Sequence, residues 1–212
     1  QKLIGLDAST TITGIAGTTL PTYSKALPEL APVNGTFVNL TSTGNTITLA
    51  SAGTNSLIRG LSLGNKTGVG ITGSNFGTLN IAETNITGTG QALSLSNGTI
   101  AAPGALGHHF QTLSSSSGSY GVSLTNVSGS LQVAQASSAI ANSTITAFYV
   151  SGGSISVQYP GTIGGVRPVD IRNTTNSTFA FSGNISSTSS GISLSGNTNG
   201  TITFSGAAKT LN

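Results

Sequence analysis

Along most of this chain, short runs in which apolar residues alternate with small polar ones come in pairs, separated by turns of Gly, Asn, Ser and Thr. The stretch from Gly191 to Gly206, GISLSGNTNGTITFSG, shows the unit: Ile192-Ser193-Leu194, a polar turn, then Thr201-Ile202-Thr203-Phe204. In an extended strand, residues two apart share a face. Ile192 with Leu194 and Ile202 with Phe204 are therefore predicted to point inward, and the hydroxyl residues between them outward. On this reading an aspartate at Leu194 enters the core, whereas one at Ser193 does not.

The unit recurs upstream with its apolar positions kept. Val169-Asp170-Ile171 precedes Thr178 to Phe181, Phe148-Tyr149-Val150 precedes Ser154 to Val157, and Val122-Ser123-Leu124 precedes Ser130 to Val133. Leu93-Ser94-Leu95 precedes Asn97 to Ile100, and Ile71 precedes Thr78 to Ile81. The first apolar positions, Ile71, Leu93, Val122, Phe148, Val169 and Ile192, are spaced by 22, 29, 26, 21 and 23 residues. A period in the twenties, built from short strands and tight polar turns, predicts an all-β parallel β-helix, a solenoid with coils of roughly 21 to 29 residues.

The rhythm extends toward the start of the chain. Lys2 to Leu6 and Thr10 to Thr13 read as strands of a first coil, with Asp7 as a turn residue. The segment 17–35 carries Pro21, Pro28 and Pro32, which suits a loop or a cap over the solenoid end rather than a central strand. One helical turn between Tyr23 and Leu30 is the only helix the pattern allows. Phe37 to Leu40 and Thr46 to Leu49 then resume the strands, and 1–212 reads as one domain.

Composition decides between folding and disorder. Only 5% of the residues are charged and 5% aromatic, as in many disordered chains, but 36% are apolar, which is enough to build a core. With no Cys, disulfides and thiolate metal sites are excluded. Seven Lys and Arg against four Asp and Glu give a net charge of +3 without a basic cluster, so no nucleic-acid surface is expected. No apolar run is long enough for a membrane-spanning helix, so no membrane insertion is expected of this segment. Gln1-Lys2 leads directly into Leu3-Ile4 with no signal-peptide core, which reads as a mature or excised chain.

The run Leu57-Ile58-Arg59-Gly60-Leu61-Ser62-Leu63-Gly64-Asn65, followed by Gly68-Val69-Gly70-Ile71, resembles the "IRGL then GI" pattern of right-handed parallel β-helices of the pectin-lyase-like superfamily. The opening Gln1 to Gly5 is similar to the first coil of that group. Copies such as Gly191 to Gly206 resemble the passenger domains of bacterial autotransporters and related secreted adhesins. This resemblance implies a secreted or bacterial cell-surface protein acting as a rigid stalk and binding surface. Its implied partners are host-cell or extracellular glycans or surface proteins, with self-association as an alternative.

Candidate chemistry is sparse. Polysaccharide-cleaving members of the superfamily need clustered carboxylates, and here the carboxylates are Asp7, Glu29, Glu83 and Asp170. At about 4.8 Å per coil, Glu83 and Asp170 are expected roughly 15 to 20 Å apart along the axis, too far to share a proton. No nucleophile elbow, phosphate loop or zinc motif is present. A non-enzyme with no cofactor and no metal is therefore expected, with a polysaccharide-binding or polysaccharide-degrading protein as the alternative.

Two breaks in the repeat, 101–118 and 158–168, read as loop inserts able to carry binding residues. The first holds His108, His109 and Phe110, and successive histidines on a strand point to opposite faces, which disfavours a shared metal. The second holds Tyr159 and Arg167; with Tyr120, Tyr149 and Arg172 these are candidates for a sugar-stacking patch. Thr-x-Thr copies at Thr11, Thr46, Thr144 and Thr201 raise ice binding as another alternative. The triplet Asn-x-Ser/Thr occurs eleven times, and turn chemistry accounts for much of it, because Asn tolerates positive φ and Thr suits the next strand.

Overall fold

A computed structural model describes residues 2–4, 38–51, 55–104 and 107–212, leaving aside the side chains of 65 and 66. The strand at Thr10 to Thr13, Asp7, Glu29, the proline-bearing segment 17–35 and the helical turn at Tyr23 lie outside these residues. The described chain forms fifteen strands and no helix: β1 (Lys2–Ile4), β2 (Val38–Leu40), β3 (Ile47–Leu49), β4 (Ser56–Lys66), β5 (Ile71–Gly88), β6 (Leu93–Ile100), β7 (Phe110–Leu113), β8 (Tyr120–Gln132), β9 (Ala139–Tyr159), β10 (Thr162–Arg172), β11 (Thr178–Phe181), β12 (Ile185–Ser187), β13 (Ser193–Ser195), β14 (Thr201–Phe204) and β15 (Lys209–Thr210). Each pairs in parallel with the strand one coil away, and the result is a β-solenoid of about seven turns.

The apolar positions of the repeat stack in register. Ile47, Ile71, Leu93, Val122, Phe148 and Val169 form one inward column, each paired with the next. Leu95, Leu124, Val150 and Ile171 form the column two residues on. From Ile71 onward the residues of both columns are fully buried. On another side of the coil Val133, Tyr159, Phe181 and Phe204 follow one another, and Phe181 lies 5.2 Å edge-on to Phe148 and 5.4 Å stacked on Phe204. The β-branched and aromatic side chains pack between coils spaced at the strand-pairing distance, which makes one continuous core.

The uneven steps have a structural cause. Leu93 to Val122 spans 29 residues because 101–104 and 107–109 run without strand pairing before β7 re-enters the ladder against β5. The expected insert 101–118 is thus an excursion ending at His109, followed by a strand. Its serines are not a free loop: Ser115 is buried and its hydroxyl donates to Gly90 O at 2.7 Å, while Ser114 Oγ accepts from Ala139 N at 3.0 Å. The expected insert 158–168 is strand at both ends, interrupted only around Pro160 and Gly161.

Leu194 corrects the core reading at the far end. It pairs with buried Ile171 as the repeat requires, but it is 47% exposed because no described coil covers it. An aspartate there would meet water, so the test of inward against outward positions belongs in a middle coil.

Asparagines hold one corner. Asn97, Asn126 and Asn173 adopt φ of +52°, +52° and +54°, a left-handed turn that Asn tolerates, and Asn126 Nδ2 donates to Asn97 Oδ1 at 3.2 Å across the coils. Asn142, Asn176 and Asn199 share the conformation at other turns. These six asparagines all belong to Asn-x-Ser/Thr triplets, in keeping with the turn-based account of them.

Candidate functional site

Beside the inward column of Ile71, Leu93 and Val122 runs an outward one, shifted by one residue. Thr48, Thr72, Ser94, Ser123, Tyr149, Asp170 and Ser193 stand on it in successive coils. Two residues further along lies the column Ser74, Ser96, Thr125, Ser151, Arg172 and Ser195. Small hydroxyl residues fill both columns except at Tyr149, Asp170 and Arg172, which are neighbours. The face is therefore a hydroxyl sheet with one patch of large, functional side chains.

Around that patch the structure gathers four of the five residues of the expected sugar-stacking set. The Tyr120 and Tyr149 rings lie 5.5 Å apart at 47°. Arg172 donates from Nε to Asp170 Oδ1 at 2.6 Å and from Nη2 to Oδ2, and Arg167 donates from Nη1 to the same Oδ2 at 3.0 Å. The Asp170 side chain is only 2% exposed, while those of Arg167 and Arg172 are 31% and 41% exposed. The carboxylate is thus a buried clamp that fixes two guanidiniums with their outer edges in water. Hydrogen bonding from Arg172 to Asp170, reinforced by its charge, holds the Arg172 pKa above its ordinary value. Thr146, buried, lies between Tyr120 and Arg167 in the ladder, so the first tyrosine and the first arginine of the patch share one column.

Asp170 was visible in the sequence as an isolated carboxylate and not as part of this site. The signal was there: in the repeat, the residue following the first apolar position is Thr72, Ser94, Ser123, Tyr149, Asp170 and Ser193. Aligning the copies by that column marks the two departures from Ser and Thr.

The remaining candidates are placed differently. Tyr159 is fully buried, 5.8 Å from Phe148, with its hydroxyl donating to Leu113 O at 3.1 Å; it is a core residue and not a surface platform, and burial pushes its pKa up. Its place in a strand following Val157 points its ring inward, which the neighbouring Pro160 disguised as a loop. Phe110 is likewise buried, beneath Val133.

His109 is buried at the mouth of the excursion. Gln132 N–H donates to Nδ1 at 3.0 Å, so Nε2 carries the proton and donates to Ala101 O at 2.8 Å. Both nitrogens are committed, and the ring latches the loop end to the coil. His108 beside it is partly exposed, and no group of three metal-capable side chains gathers among the described residues. Arg59 lies elsewhere, bound to Glu83 one coil on at 2.9 Å. The Thr-x-Thr copies among the described residues do not share a column: Thr48 pairs with Thr72, Thr146 with Tyr120, and Thr201 with Thr178, while the copy at Thr11 lies outside them.

The His109 latch has a pH signature. Burial, the largest cause, holds its pKa below the ordinary 6.5. The unfolded chain therefore takes up the proton first, and the stabilisation, whole above pH 6.5, is lost as the pH falls below it. Thermal melts between pH 7.5 and 5 are expected to show a falling Tm below about 6.5 that disappears in His109→Gln. A wild-type Tm flat across that range would contradict the buried neutral ring.

No protein-family model matches the chain, and neither does any curated protein or solved structure.

Proposed function

We propose that this β-solenoid is a non-enzymatic, secreted or bacterial cell-surface binding protein of the adhesin kind, a rigid stalk that presents a glycan-binding face. The observation that carries the reading is the patch of Tyr120, Tyr149, Arg167 and Arg172 around Asp170, set in an otherwise uniform Ser and Thr face. Tyrosine rings offer flat apolar surface to the C–H face of a sugar, and fixed guanidinium and hydroxyl groups offer directional hydrogen bonds to its oxygens. A solenoid suits the task, because strand pairing in every coil holds these groups on a stiff sheet and not on loops.

The test is retention of the purified chain on a panel of neutral and charged polysaccharides, with released product assayed alongside. Retention without product is expected, and Tyr149→Ala is expected to weaken it by about tenfold, the equivalent of about 1.4 kcal/mol. Cleaved product would make the protein a polysaccharide-degrading enzyme instead. Retention unchanged in Tyr149→Ala would place binding elsewhere on the molecule.

A further inference from the structure

Resting on that glycan-binding reading, we infer that the ligand of the Tyr149 face is anionic: a sugar carrying a carboxylate or a sulfate ester, seated against Arg167 and Arg172.

The electrostatics of the patch are unbalanced. One buried carboxylate serves two guanidiniums, so the cluster keeps an excess positive charge. Both arginines converge on Asp170 Oδ2, which brings two like charges close together in a partly desolvated place. Asp170 carries one negative charge against two positive ones, so it relieves that repulsion only in part. An anion bridging the outer edges of the two guanidiniums would supply the missing charge.

The hydrogen-bond inventory agrees. Arg172 uses Nε and Nη2 on Asp170 and keeps Nη1 unused, while Arg167 uses Nη1 and keeps Nη2. Arg167 Nε is buried without any acceptor in the protein, an orphaned donor within the cluster. Planar guanidinium donors held in fixed orientation match the paired oxygens of a carboxylate or sulfate. Nothing on the face opposes an anion: besides Asp170, the acidic residue among the described ones is Glu83, engaged by Arg59. The Tyr120 and Tyr149 rings next to Arg172 make a sugar, more than a bare inorganic ion, the natural bearer of that charge.

Asp170 is on this account a positioning residue. It touches no ligand and acts by aiming the two arginines.

The experiment uses one polymer in three forms: dextran, carboxymethyl-dextran and dextran sulfate, immobilised at equal density, with the neutral panel above run in parallel. The chain is expected to bind one or both anionic forms and not dextran, and the arm that binds tells carboxylate from sulfate. Arg172→Gln is expected to weaken this binding by tenfold or more. Lys209→Gln, which removes the same charge from another strand, β15, is expected to change it less than twofold. Circular dichroism confirms that both variants stay folded. Equal weakening by the two substitutions would mean that only overall charge is sensed, and the inference would fall. Binding to neutral glycans that depends on Tyr149 but not on Arg172 would also overturn it, while leaving the glycan-binding reading intact. No binding to any glycan would end both.

Discussion

Leu95→Asp is expected to unfold the solenoid or lower its stability by several kcal/mol, while Ser94→Asp on the same strand changes it by less than about 0.5 kcal/mol. Leu95 points into the core, paired with Leu124 in the next coil, and is buried. Replacing it both removes a large apolar side chain, at about 2 to 5 kcal/mol, and places a carboxylate where no partner exists. Ser94 faces outward between Thr72 and Ser123. Denaturant melts of the two variants decide the matter: similar midpoints would show that the inward and outward assignment of the middle coils is wrong. Leu95 and not Leu194 is the informative site, because Leu95 has described coils on both sides and Leu194 on one.

Gly90→Ala should be the second severe change. A Cβ built on Gly90 would stand 1.9 Å from Gly68 O, a backbone atom of the preceding coil that cannot rotate away. Gly183 stands in the same relation to Gly161 O, again at 1.9 Å, and Gly206 to Gly183 O at 2.0 Å. At each of these two corners the coils approach too closely for any side chain. Alanine must push two coils apart and lengthen the hydrogen bonds beside them, for which a loss of about 3 kcal/mol or more is expected. Gly104→Ala is the control, since its Cβ would meet nothing within 4 Å, and its melting temperature should stay near that of the wild type. A Gly90→Ala protein as stable as Gly104→Ala would mean that the corner is looser than described.

The resemblance to pectin-lyase-like β-helices and autotransporter passengers rests on coil pattern, and the fold it shares with this structure is the solenoid itself. The patch around Asp170 is a separate matter, because it depends on five side chains from three coil positions and on no motif of that pattern. A fold of this kind presents many outward columns, and substitution at a few of their positions is enough to make a site without disturbing the core.

Much of the molecule was legible in the chain. The alternation of apolar and hydroxyl residues, with a period in the twenties, determined strands, stacking and register: Ile71, Leu93, Val122, Phe148 and Val169 do form one column. Periodicity reports burial, and burial in a solenoid depends only on position within the coil. The presence of Tyr120, Tyr149, Arg167 and Arg172 as unusual residues could also be read from sequence. What lay beyond it was contact between coils. Whether Tyr159 or Tyr149 faces water depends on which side of the ladder each occupies, and Pro160 hid the strand that runs up to Tyr159. That Asp170 binds both arginines, that His109 latches a loop, and that Gly90 touches Gly68 follow from residues 2 to 23 positions apart meeting at van der Waals or hydrogen-bond distance. The meetings of His109 with Gln132 and of Gly90 with Gly68 are set by the pitch of the stack, and the Asp170 clamp by the side-chain conformations of its own strand, and so only the tertiary structure decided them.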